Sequence, residues 1–216
     1  MKIGVLGTGP VGQAIATRLV ELGHDVTMGS RDPANETASG WARAHGAASG
    51  DFRQAAGGAE LVVNATAGSH SLDAVAQADP GAGTVVLDVS NALDGNFPPG
   101  LTVPSGDSTA ERLQRAHPDV RVVKALNTMN CDVMVHPELV PDEHEVFVAG
   151  DDAAAKAAVV GLLRQFGWPE RAIRDVGPLA AARGLEAGVL FWVTLRMAVG
   201  HNRFNFHVAE GSAPSS

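Results

Sequence analysis

Three observations in the sequence predict an α/β fold, a doubly wound parallel sheet with a small C-terminal helical part. Short runs of Val, Ile and Leu recur through the first half of the chain, and segments with apolar residues at helical spacing lie between them. A glycine-rich turn joins the first run to the first such segment. The runs are apolar at consecutive rather than alternating positions, as strands covered by helices on both faces require.

Lys2–Leu6 is the first expected strand. Val11, Ile15, Leu19 and Leu22, closed by Gly23, mark the first helix, and Asp25–Met28 the second strand, which completes a βαβ unit. Helices expected over Asn35–His45, after Ser69 and over Ser108–His117 alternate with strands over Glu60–Ala65, Thr84–Val89 and Arg121–Ala125. Asn91–Gly106 carries Pro98, Pro99, Gly100 and Pro104 and reads as a long loop over the ligand crevice. Glu145–Ala149 is a further strand, and Gly150-Asp151-Asp152 a turn with Asp as helix cap. Val159, Leu162, Leu163 and Phe166 form one face of a helix that stops at Gly167. A last long helix runs from about Leu179 to Val199, with Leu185, Val189, Trp192 and Val199 on a face.

The composition narrows the function. With 216 residues, 45% hydrophobic and 19% charged, the chain can bury a sizeable core. A net charge of −8 argues against nucleic acid or an anionic membrane as partner. The single cysteine, Cys131, cannot form an internal disulfide, and Met1-Lys2 runs straight into an apolar strand without signal-peptide architecture, so a cytoplasmic location is expected. The most apolar stretch, Ala187–Leu195, lies between Glu186 and Arg196 and falls well short of the roughly 20 residues of a membrane span.

Gly7-Thr8-Gly9-Pro10-Val11-Gly12 is a G-x-G-x-x-G directly after a strand and opening a helix, the fingerprint of a Rossmann-type dinucleotide site. Gly7 permits the tight turn, Gly9 removes a side chain that would block a pyrophosphate, and Gly12 lets the helix pack on the strand. The free amides of the first helical turn then face the phosphates. At the end of the second strand, where an NAD site usually carries an acid, the sequence has Met28-Gly29-Ser30-Arg31. A hydroxyl and a guanidinium suit the dianionic 2′-phosphate of NADP(H). Three further strand ends converge on the same edge of the sheet: Asn64-Ala65-Thr66-Ala67-Gly68 with His70 just after, Asp88-Val89-Ser90-Asn91, and Lys124-Ala125-Leu126-Asn127-Thr128. The last places amide and hydroxyl groups where a nicotinamide carboxamide could use them.

Together with Phe147-Val148-Ala149-Gly150-Asp151-Asp152 and the run from Asp175 through Arg183 and Glu186, these motifs resemble the NADPH:coenzyme F420 oxidoreductase family from residue 1 to about 200. Membrane ferric reductases with six spanning helices carry a related domain. The resemblance implies an NADP(H)-binding Rossmann domain over residues 1–130 and a C-terminal part over 131–208 that supplies the substrate side and a dimer contact. Residues 209–216 are expected as a disordered tail. It implies hydride transfer between NADP(H) and the deazaflavin F420 as co-substrate, in a homodimer. Carried over by position, Thr8, Gly9, Pro10 and Val11 wrap the pyrophosphate, and Ser30 and Arg31 hold the 2′-phosphate. Ala65, Thr66, Ala67 and His70 line the nucleotide, and Ser90, Asn91 and Ala125 lie beside the nicotinamide. Archaeal members place a Lys four residues beyond this Arg, where this chain has Asn35, and their C-terminal sequence differs from His201-Asn202-Arg203-Phe204-Asn205-Phe206-His207.

No metal motif is present: there is no H-E-x-x-H or C-x-x-C, and His201 and His207 do not share a helical face. Phe191 and Trp192 suit core, dimer interface or a wall against a flat ring, and Arg183 and Glu186 suit a surface pair at i, i+3. Three function classes stay open. The first is hydride transfer between two rings held face to face. The second is a reductase acting on a flavin, ferric chelate or small carbonyl, for which His70 or Lys124 would donate a proton, the sequence having no Tyr. The third is a non-catalytic NADP(H) sensor.

Overall fold

The computed structural model describes residues 1–211. Its strands are β1 (Lys2–Leu6), β2 (Asp25–Ser30), β3 (Ala48–Asp51), β4 (Leu61–Asn64), β5 (Val85–Asp88), β6 (Arg121–Ala125), β7 (Val146–Gly150) and β8 (Ile173–Asp175). The helices are α1 (Pro10–Glu21), α2 (Glu36–His45), α3 (Phe52–Ala56), α4 (Ser71–Ala78), α5 (Thr109–Ala116), α6 (Cys131–Val135), α7 (Ala153–Phe166) and α8 (Ala182–Val199). All strands join one sheet in the order β3-β2-β1-β4-β5-β6-β7-β8, parallel throughout except that β7 pairs antiparallel with β6. The reversal has a local cause. The chain leaves β6 at its carboxyl end, makes α6 and a single 3-10 turn at Pro137–Leu139, and re-enters the sheet from the same edge without crossing it.

Strand periodicity separates the two faces. Ile3, Val5, Leu61, Val63, Leu87, Val123, Val146 and Val148 pack with Ile15 and Leu19 of α1 and with Val159, Leu162, Leu163 and Phe166 of α7. The intervening residues Leu6, Val62, Val86 and Val122 face α3, α4, α5 and the start of α8. The first cluster includes residues from Ile3 to Ala172, so positions on both sides of residue 130 share one sheet and one core.

Several elements carry little signal in the sequence. Strand β3 reads Ala-Ser-Gly-Asp, without a β-branched residue, and forms as an edge strand on β2. Helix α3 is five residues long and rests on the capping box of Asp51 and Gln54. It lies so close to the sheet that a Cβ on Gly4 would stand 2.4 Å from the Ala55 carbonyl oxygen. Asn35 caps α2 by accepting from the Ala38 amide. The expected last helix begins with a 3-10 turn at Leu179–Ala181 before α8 proper.

After α8 the chain folds back along it. Phe204 stacks on Trp192 with centroids 5.3 Å apart, and Phe206 on Phe191 at 5.9 Å. The two aromatics expected as core, interface or ring wall are therefore partnered within the chain. The Phe206 carbonyl accepts from the Glu145 amide, and Arg174 grips the buried Glu145 carboxylate with two hydrogen bonds of 2.8 and 2.9 Å while also reaching Glu210. Glu210 falls in the expected tail, whose residues 212–216 lie outside those described.

Truncating the side chain of the fully buried Leu163 to a methyl in Leu163→Ala is expected to cost about 2–5 kcal/mol, read as a lower urea midpoint. The Arg174 guanidinium holds the Glu145 carboxyl below its ordinary value of 4.5. A depressed folded-state value contributes stability above pH 4.5 that is lost as pH falls below it. Glu145→Gln is accordingly expected to cost about 1–2 kcal/mol at pH 7, and to lose less stability than the wild type between pH 5 and pH 3, measured by urea unfolding at each pH.

Candidate active site at the carboxyl edge of the sheet

The glycine turn between β1 and α1 has the geometry its spacing predicts. Gly7 has φ +117°, and a Cβ there would meet the Ala65 carbonyl at 2.6 Å. A Cβ on Gly12 would stand 2.1 Å from the Gly7 carbonyl oxygen, so only glycine lets the helix start this close to its own turn. Gly9 is the opposite case, with no atom within 4 Å of where a Cβ would be. It is the N-cap of α1 and has no side chain to offer the first-turn amides, which have no acceptor inside the helix. Pro10 follows at the first helical position, and Gln13 braces the turn by donating to the Thr8 carbonyl at 2.8 Å.

A cleft of about 220 Å³ opens in front of this turn. Gly9, Pro10 and Val11 form one side, Ala65, Thr66 and Ala67 the next, and Val89, Ser90 and Asn91 the third. Eight of these nine residues are among those singled out from the sequence; Val89 is the addition. Its only mark in the sequence is its place between Asp88 and Ser90. An anionic dinucleotide fits what is present: bare helix-terminal amides, an open space over Gly9, and one unpartnered polar atom, the buried Ser90 hydroxyl.

The other expected residues stand around the cleft without lining it. Ser30 ends β2 and is buried, its hydroxyl donating to the Asp32 carbonyl, so it shapes the turn that presents Arg31. Arg31 is exposed. His70 is exposed at the end of the 3-10 turn Gly68–His70. Ala125 is buried in β6, opposite Val148. Asn127 is 2% exposed, and its amide nitrogen already donates to Asn91 Oδ1 and to the Leu185 carbonyl, both at 2.9 Å. The Asn91 amide returns a bond of 2.8 Å to the Asn127 carbonyl. Between Ala125 and Asn127 the backbone passes through Leu126 at φ +65°, a strained conformation for a bulky residue, at a cost of about 1–3 kcal/mol that the surrounding core holds in place.

Two expectations are corrected. Lys124 cannot serve as a solvent-fed proton donor: it has no exposed surface and lies 2.7 Å from Asp88, 2.6 Å from the Ser90 carbonyl and 3.0 Å from Glu186. Nor do Arg183 and Glu186 pair with each other. Arg183 reaches across to Glu111, whereas Glu186 turns inward, where it accepts from the amides of Thr109 and Ala110 at the start of α5 and meets Lys124. A spacing of three places two residues near each other on a helix but does not say which faces a neighbouring element.

The sequence singled out the segments holding Asn64, Asp88 and Lys124 but not the network they make. The three are cross-strand partners at the ends of β4, β5 and β6. Asn64 donates to Asp88 at 2.8 Å and accepts from Thr66 at 2.7 Å. The available signal was a polar residue closing each of three apolar strands. Cys131 is half-buried, and burial raises its thiol above the ordinary value, so it is not an activated nucleophile.

Comparison with known proteins adds the chemistry. Residues 2–92 match the family model described as NADP oxidoreductase, coenzyme F420-dependent. A solved structure of a candidate F420-dependent NADP-reductase from Arthrobacter sp. FB24 is 42% identical with a TM-score of 0.91, covering 97% of this chain and 100% of that one. A hypothetical protein of Sinorhizobium meliloti is 26% identical at a TM-score of 0.70, covering 84% and 87% of the two chains. Metalloreductase STEAP3 of Rattus norvegicus is 31% identical over 188 residues, 86% of this chain. The chain spans 36% of the length of that curated relative. An imine reductase from Aspergillus terreus, solved with NADPH4, shares the fold at 19% identity and a TM-score of 0.64, over 92% of this chain and 63% of that one. The chain belongs to the family of coenzyme F420-dependent NADP oxidoreductases, and its class of chemistry is NADP-dependent oxidoreduction.

Proposed function

We propose that this protein transfers hydride between NADP(H) and the deazaflavin coenzyme F420. The observation that carries the proposal is the open glycine turn, whose uncapped helix amides face a cleft walled by Thr66 and by the unpartnered Ser90 hydroxyl. Full-length similarity to a candidate F420-dependent NADP-reductase supports the choice of acceptor.

When bound, NADPH supplies two electrons as a hydride, and the acceptor draws its further proton from solvent. The protein's share is binding and orientation. Amides of Val11 and Gly12 take the pyrophosphate in the field of the α1 N-terminus. Arg31, presented by the Ser30 turn, takes the 2′-phosphate. Ala65, Thr66 and Ala67 line the nucleotide, while Ser90 and Asn91 frame the nicotinamide end, with Asn127 holding Asn91 from behind. Carbon-to-carbon hydride transfer needs no nucleophile, so the rate comes from alignment of the two rings. With Lys124 buried, a carbonyl reductase would have to take its proton from His70, whereas hydride transfer between two rings needs no donor on the protein.

Residues 131–208 belong to the same proposal as the substrate side and a homodimer contact in the cytoplasm. Phe191, Met197 and Val199 of α8, at 57%, 61% and 47% exposure, supply the apolar surface for that contact. Among the described residues no helix is long and apolar enough to cross a membrane.

Arg31→Ala is expected to weaken NADPH by about 1.5–3 kcal/mol while leaving NADH unchanged, measured by calorimetric titration. Equal wild-type affinities for the two coenzymes would overturn the 2′-phosphate assignment. Mixing the protein with NADPH and F420 is expected to bleach both chromophores together. Reduction of flavin or ferric chelates without reduction of F420 would transfer the proposal to the metalloreductase-like class, and tight NADPH binding with every acceptor silent would make the protein a sensor.

A further inference from the structure

The cleft wall at Ser90–Asn91 is held from behind by two consecutive residues of α8. Ser90 is clamped through its backbone: its amide donates to Asp88 Oδ1 at 3.2 Å, and its carbonyl accepts from Lys124 Nζ at 2.6 Å. Lys124 is in turn held by Asp88 at 2.7 Å and Glu186 at 3.0 Å. Asn91 is clamped through its side chain by Asn127, which donates to the carbonyl of Leu185. One turn of α8 therefore reaches Ser90 through an ammonium and Asn91 through an amide. The Ser90 hydroxyl is left as the buried polar atom of this wall without a partner.

We infer that Lys124 and Glu186 are positioning residues. They tie the last helix to the Ser90–Asn91 peptide and so set the half of the cleft that receives the nicotinamide end of NADP(H), independently of the glycine turn that receives the phosphates. The inference rests on the NADP(H) proposal above. The chemistry of the triad explains why it can act this way. Every oxygen of the two carboxylates is engaged: Glu186 accepts from the Thr109 amide on Oε2 and shares Oε1 between Lys124 and the Ala110 amide, while Asp88 Oδ1 accepts from Asn64 and the Ser90 amide and Oδ2 meets Lys124, so the ammonium has one position in which all are satisfied. Withdrawing one carboxylate lets Lys124 shift and release the Ser90 carbonyl.

The test compares two ligands in the full-length protein: NADPH, and 2′,5′-ADP, which has the phosphates and adenosine but no nicotinamide. Glu186→Gln is expected to raise the Kd for NADPH about tenfold and to lower kcat, while 2′,5′-ADP binds within about twofold of the wild type. Asp88→Asn, which leaves Lys124 paired with Glu186, makes the same measurement from the other carboxylate and is expected to give the same split. Arg183→Gln is the control: it removes the Glu111 pair that also ties α8 to α5 but does not touch Ser90, and both ligands should bind it as they bind the wild type. Equal weakening of the two ligands in Glu186→Gln, an unchanged NADPH affinity, or the same split in Arg183→Gln would overturn the inference. Failure of the wild type to bind either ligand would instead overturn the NADP(H) proposal beneath it.

Discussion

The Lys124 ammonium is out of contact with solvent and held between Asp88 and Glu186, at the point where three strand ends, the start of α5 and the last helix meet. Burying a cation costs several kcal/mol unless its partners are well placed, and removing one partner of such a group costs about 3–5 kcal/mol. The arrangement is tolerable because every carboxylate oxygen has a donor. Glu186 also brings negative charge to the positive end of α5. Strand register puts Asn64, Asp88 and Lys124 side by side, and strand periodicity turns them to the face that α5 and α8 cover.

From this constraint follows the division of the site. The side facing the phosphates is made of backbone: a turn that only glycine can make at Gly7, a contact only glycine allows at Gly12, and an open approach at Gly9. The other side is made of buried side chains that shape the Ser90–Asn91 peptide from below. The strained Leu126 belongs to this second half, since it turns Asn127 toward both Asn91 and the Leu185 carbonyl. A cleft built partly from main chain and partly from a buried network needs no mobile charged side chain on its floor, which suits a reaction governed by alignment.

The peripheral strands are held differently. β7 and β8 run against the direction of the rest of the sheet, and the segment after α8 returns along that helix on a pair of aromatic stacks before meeting Glu145 and Arg174. Here Glu145 is buried while Arg174 and Glu210 keep part of their surface exposed, and the pairing of Glu145 with Arg174 tunes stability with pH.

The sequence by itself determined the central strands, the long helices and the glycine turn, because each is encoded locally: consecutive β-branched residues, a 3.6-residue apolar period, and glycines where no Cβ fits. It also brought eight of the cleft residues into view, since the ends of parallel strands must share one edge. What it could not contain were β3, α3 and β8, too short or too small in side chain to show a period, and the direction of β7. Only the tertiary structure decided that Glu186 turns away from Arg183, that Lys124 is a buried clamp, and that Ser30 and Asn127 spend their polar groups within the protein. Those outcomes depend on which residues far apart in the chain are packed together, and periodicity along one segment carries no information about its partner.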